Sequence, residues 1–150
     1  MKPGVYVTFD VECGMGGAWE NPAARPVPPS RGMMGEYGRR RMGVPLLADI
    51  LNEFGLAGTF FVEPFNDELG YPGQTEPVCT LLLDRGQDVQ LHVHPVHRLY
   101  ALRREGRDVP HTDDLPDLPE EQVRQMLAEG AERLARWTGR APVAFRAGNM

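Results

Sequence analysis

Cysteine is scarce in this sequence: Cys13 and Cys79 are the two in 150 residues, and they lie far apart. That excludes a disulfide framework and a cysteine-rich metal knuckle, and the setting expected is reducing and cytoplasmic. Long apolar runs are missing as well, since none approaches the roughly 20 residues a helix needs to span a bilayer. The opening "MKPGVYVTFD" passes directly into a strand pattern, without the regions of a signal peptide. Nor is there an excess of positive charge. A formal net charge of -5 offers no basic footprint, so nucleic acid and anionic lipid are not expected partners. The remainder is ordinary for a globular chain, with 41% hydrophobic and 25% charged residues. One domain spanning 1–150, with a real core, is expected from that length.

Along the chain, "GVYVTFDVE" is a β-branched and aromatic run that predicts a buried strand. From Cys13 to about Gly38 the sequence turns rich in glycine and proline, and Pro22, Pro26, Pro28 and Pro29 predict a long irregular loop. Val44, Leu47, Ala48, Leu51 and Phe54 then recur at helical spacing up to Gly55, a C-terminal stop. "AGTFFVE" predicts a second strand, "TEPVCTLLLDRG" a second helix and "DVQLHVH" a third strand. A polar loop is expected from Arg98 to Leu118. After it Pro119 opens a long helix carrying Val123, Met126, Leu127, Ala131 and Leu134 on one stripe, and "PVAFRAG" follows as a fourth strand. Strands alternating with helices predict parallel β-α units, which gather their chemistry at the carboxyl ends of the strands.

Those ends carry the informative residues: Asp10 and Glu12, then Glu63, then His92 and His94, then Arg146. Three of the four histidines, His92, His94 and His97, crowd into "LHVHPVH". Side chains alternate along a strand, so Asp10 and Glu12 share a face, as do His92 and His94. Two imidazoles and an acid make three ligands for a divalent ion and leave positions for water, the pattern of a catalytic zinc site. A solvated strand end and a surface histidine-rich turn are the plainer alternatives. Glu63 faces the same region and is a candidate for substrate binding. Trp19 and Tyr37, in the first loop, either stack on a sugar ring or anchor the loop. Cys13 is a soft ligand or a small apolar residue, and His111 is expected to be exposed. "CGMGG" lacks the helix that a phosphate-binding loop requires, because prolines follow it.

The stretches "VTFDVE", "GTFFVE", "GQDVQLHVHPVH" and "TGRAPVAFRAG" resemble, in order, the first four strand motifs of the polysaccharide deacetylase family, or NodB-homology domain. The resemblance covers nearly the whole chain and implies an α/β fold, a distorted (β/α) barrel of which the N-terminal half is present. It implies a metal-dependent hydrolase that removes an N-acetyl group from a sugar or bacterial glycan precursor, with zinc as the expected ion. By position, Asp10 becomes the general base, Arg146 the arginine that orients it, and Glu12 and His92 metal ligands. The second ligand is His94, with His97 as the alternative, because divergent members of the family share the "FDVE", "HxHP" and "FRAG" forms. The usual motif has adjacent aspartates and ligand histidines four apart, whereas here Val11 separates two acids and the histidine spacings are two and five. These departures keep open a non-catalytic glycan-binding or metal-binding domain on the same fold. The family's acid histidine is expected beyond Met150, so residues 1–150 alone are expected to be a truncated barrel without amidase activity.

Overall fold

The computed structural model describes residues 4–149. In chain order the elements are β1 (Thr8–Val11), α1 (Pro29–Gly32), β2 (Glu36–Tyr37), β3 (Arg40–Arg41), α2 (Val44–Glu53) and β4 (Thr59–Val62). A 3-10 turn (Pro64–Leu69) leads to α3 (Glu76–Asp84), β5 (Asp88–Val93) and α4 (Pro95–Arg104). A second 3-10 turn (Leu115–Asp117), α5 (Glu120–Thr138) and β6 (Phe145–Ala147) complete the described chain. Strands β1, β4, β5 and β6 form one parallel sheet in that order, and β2 pairs with β3 in a small antiparallel hairpin. The protein is therefore α/β, with an arrangement compatible with part of a (β/α) barrel.

Register divides the sheet into two chemically different faces. Phe9 lies beside Phe60 and Val89, and Val11 beside Val62 and Leu91. These rows pack with Ala48, Leu51, Val78, Leu82, Met126 and Leu134 of α2, α3 and α5 into the apolar core. The alternate row sets Asp10 beside Phe61 and Gln90, and two residues further along β5, His92 faces Arg146. Arg146 of β6 grips Asp10 of β1 at 2.6 Å although two strands lie between them. A flat sheet would set those backbones about 14 Å apart, at the limit of two stretched side chains. The guanidinium instead rides 4.2 Å over the Phe61 ring, so the sheet must curl toward this face.

Three expectations are corrected. The first strand is shorter than "GVYVTFDVE", with Val5 and Tyr6 exposed at 87% and 88%, because β1 is an edge and its inner face opens to solvent. The irregular first loop holds α1 and the β2–β3 hairpin; Gly35, at φ 60, and Gly43 approach so closely that a Cβ on Gly43 would lie 2.2 Å from the Met33 carbonyl oxygen. The segment read as a polar loop from Arg98 starts as a helix. Pro95 occupies the first turn of α4, where a missing N–H costs nothing, and Val96 and Leu99 anchor the helix between arginines.

Gln87 fastens the starts of the central strands. Buried after α3, it accepts from the Gly58 N–H (2.8 Å) through Oε1 and donates through Nε2 to Asn52 Oδ1 (2.7 Å). Gln87→Leu leaves the Gly58 donor and the Asn52 acceptor without this partner, so the expected loss is about 1–3 kcal/mol in urea denaturation. An unchanged midpoint would contradict the role assigned to Gln87.

Candidate metal centre

The carboxyl ends of β1 and β5 bring Glu12, His92 and His94 together, with one ligand atom from each inside a 4.8 Å cluster. Glu12 Oε2 lies 3.2 Å from His92 Nε2 and 2.5 Å from His94 Nε2. The two rings meet edge to face, 4.8 Å between centroids. His92 is buried, while His94 and Glu12 are partly open to solvent.

The donor chemistry fits a divalent ion. His92 Nδ1 lies 2.9 Å from the carbonyl oxygen of Arg146, and His94 Nδ1 lies 2.7 Å from Asp113 Oδ2. An acceptor at Nδ1 holds a ring proton there, so Nε2, beside the Glu12 oxygen, is the nitrogen that would offer its lone pair to an ion once its own proton leaves. Two imidazole nitrogens and one carboxylate oxygen therefore converge. The space for His94 depends on glycine: a Cβ at Gly148 would fall 2.4 Å from His94 Nδ1.

Electrostatics tighten the cluster. Burial raises the pKa of Glu12, but the hydrogen bonds from His92 and His94, and their charge, outweigh it and hold the carboxyl well below its usual range. For His94, burial pulls downward, and the bonds to Asp113 and Glu12 overcome it, pushing the imidazole up to about 10. His92 is raised as well, because its partners Glu12 and the Arg146 carbonyl outweigh burial. A proton on His94 therefore ties it to Glu12 and Asp113 at neutral pH.

The other expected residues divide. Asp10 sits half exposed on the same face, tied to Arg146 Nη1; Arg146 Nη2 donates to Thr8 Oγ1 (2.8 Å). The guanidinium fork is therefore shared between two side chains, not given bidentately to Asp10. His97 is not among the clustered donors; it is buried on α4, its ring stacked at 5.5 Å on His94 and its Nδ1 3.9 Å from Glu63. Burial, followed by the charge of His94, drives the His97 imidazole down to about 4, so it stays neutral. His94, not His97, shares the cluster with Glu12 and His92.

Glu63 is not open to substrate. It is 0% exposed; Oε1 accepts from the Phe65 N–H (2.8 Å) and Oε2 from the His94 N–H. Burial raises its carboxyl to about 8 against those backbone bonds. It fixes the backbone that carries a candidate ligand. Trp19 is likewise withdrawn: it is 7% exposed, stacked on His111 at 4.5 Å with the Arg103 guanidinium 4.9 Å over it, so its faces are already used by the chain. Tyr37 is exposed on the hairpin, under the Arg31 guanidinium. Cys13 is buried, and burial, with the charges of Glu12, Asp67 and Glu63, pushes its thiol up to about 12, so it packs as a small apolar residue. His111 is exposed over half its side chain, as expected. The sequence reading missed Asp113, whose carboxylate is brought to His94 across 19 positions by the segment after α4.

No protein-family model matches the chain, and no curated protein matches it. No helix among the described residues is long and apolar enough to cross a membrane.

A metal must displace the protons that His92 and His94 hold, so affinity should rise with pH. Both imidazole pKa values are raised above the ordinary 6.5. The stability contributed by protonated His94 is complete below that value and is lost as pH rises through about 10. Apparent Zn2+ affinity is accordingly expected to climb by about one decade per pH unit between about pH 7 and pH 9, where His94 still holds its proton. Calorimetry in buffers of different ionisation enthalpy should detect proton release, and a pH-independent affinity would remove the proton–metal competition. Gly148→Ala should weaken binding in the same titration, because its methyl group needs the space of the His94 ring.

Proposed function

We propose that the chain is a metal-dependent hydrolase of the polysaccharide deacetylase type, acting on the N-acetyl group of a sugar or glycan precursor. The observation that carries this reading is the converging set of Glu12, His92 and His94, with both Nδ1 atoms engaged by chain acceptors. Among the described residues no fourth histidine, cysteine or acid joins that cluster, which favours an open site over a closed structural one. The four strand-end motifs supply the substrate class, by their resemblance to the deacetylases. Zinc is the preferred ion, since mixed imidazole and carboxylate donors suit it.

When bound, the ion supplies Lewis acidity for an amide carbonyl and a water that is nucleophilic near neutral pH. The chain's residues do the rest. Glu12, His92 and His94 would hold the ion. Asp10 is the general base, and its Oδ2 takes the proton of the attacking water while Oδ1 stays on Arg146. Arg146 holds that carboxylate from the opposite side of the curled face, and its own carbonyl orients His92, so one residue aligns base and ligand. Position in the pair matters because a general base works only within hydrogen-bond reach of its proton.

Metal analysis paired with acetate release tests this. An activated aryl acetate serves beside a panel of N-acetylated sugars, because a phenolate leaves without a proton donor. Zn2+-dependent acetate release is expected. His92→Ala should lose most of the metal, whereas Asp10→Asn should retain it and lose turnover by about 100-fold or more. His94→Ala should weaken metal binding by about tenfold or more, and His97→Ala less. Equal metal loss in Asp10→Asn and His92→Ala would make Asp10 a ligand, and acetate release indifferent to Zn2+ would overturn the hydrolase reading.

A further inference from the structure

We propose that Asp113 is a positioning residue that fixes the His94 imidazole and couples the order of segment 105–118 to metal binding; this rests on the triad being a metal site. The carboxylate uses both oxygens. Oδ2 accepts from His94 Nδ1 (2.7 Å) and Oδ1 from the Val96 N–H (3.2 Å), in the first turn of α4. The backbone donor holds the carboxylate in one orientation, so it presents a fixed acceptor to the ring. His92 is aligned by a backbone carbonyl, which no substitution removes, whereas His94 is aligned by a side chain that can be removed.

Apolar packing holds the two ends of the segment carrying Asp113, through Val109 on one side and Leu115 and Leu118 on the other, and polar contacts hold its tip. Thr112 Oγ1 bonds Asp117 Oδ2 (2.7 Å) within it, Asp114 Oδ1 accepts from Asn149 Nδ2 (2.8 Å), and the His111 ring stacks on Trp19. Those anchors join it to the exit of β6 and to the first loop, while Asp113 joins it to the candidate ligand. If the ion draws the Nε2 lone pair of His94, the Nδ1–H becomes a stronger donor to Asp113. By linkage, whatever the ion gains from an ordered Asp113, the segment gains from the ion.

The test uses Zn2+ alone with the whole chain. In the wild type, Zn2+ should increase amide-exchange protection across 105–118, and a slowly exchanging imidazole N–H of His94 should appear downfield in the proton spectrum. Asp113→Ala should weaken Zn2+ by about 10- to 100-fold, abolish that resonance and leave the segment's exchange indifferent to Zn2+. Asp113→Asn, which keeps an acceptor and the shape of the side chain, should recover part of the affinity and carries the test if the alanine variant does not fold. Zn2+ affinity within about twofold of wild type in Asp113→Ala, with loss in His92→Ala, overturns this proposal alone. Wild-type affinity in His92→Ala overturns the metal reading and this proposal with it.

Discussion

The structure is organised around one electrostatic demand, the placing of Glu12, Glu63, His92 and His94 at the carboxyl edge of a parallel sheet. Buried polar and charged groups are costly unless they are paired or hydrogen-bonded. The surroundings read as the means of meeting that demand. Glu63 is satisfied by two backbone N–H groups, His92 by the Arg146 carbonyl, and His94 by Asp113. Asn66 continues the pattern, since its side chain donates to the Glu63 carbonyl (2.8 Å) and accepts from the Cys13 N–H (2.9 Å), locking the end of β1 to the end of β4. Where the partner is a side chain, as with Asp113 and Asn66, its removal strands a neighbour.

Much of this was legible in the residues, and for a definable reason. Period-two alternation is local, so the shared faces of Asp10 with Glu12 and of His92 with His94 follow from spacing alone. The helix over Val44–Glu53 and the long helix over Glu120–Thr138 follow in the same way from apolar stripes. What the sequence could not show depended on distance in the chain. Asp113 looked like one more acid in "HTDDLPD" because its meaning lies in a ring 19 positions away. Glu63 as a substrate contact is ruled out, and Trp19 is decided in favour of anchoring the loop, by burial, which is a property of the whole packing. An aromatic in a glycine-rich loop looks free until His111 and Arg103 close over it. The missed start of α4 is different: its apolar stripe is narrow and its arginines dominate a local reading.

The curl of the sheet is the step that turns a row of strand ends into a site. Glu12 follows β1 and His92 lies on β5, with β4 between them, yet their side chains meet at 3.2 Å. Arg146 closes a longer span, from β6 to Asp10 on β1. Parallel strands alone would spread these groups in a line, so the ion pair and the candidate metal cluster depend on the same curvature. The small residue in "FRAG" then has a physical meaning, because Gly148 lets the exit of β6 pass close against the His94 ring.

Stability by itself accounts poorly for such a cluster. Two imidazoles directed at one carboxylate oxygen repel each other whenever both are charged, and an apolar trio of similar volume would pack there at no electrostatic cost. The arrangement makes better sense when the proton-bearing state is regarded as a placeholder. Each ring is fixed from behind by an acceptor at Nδ1, an arrangement that would be superfluous for a simple salt bridge but is what keeps an Nε2 lone pair aimed once its proton leaves. The same backbone that holds His92 continues into the side chain that holds Asp10, so displacement of the ligand strand by even a small amount would misalign the base as well. Ligand geometry and base geometry are therefore not separately adjustable in this fold: changing the register of β6 against β5 would disturb both together.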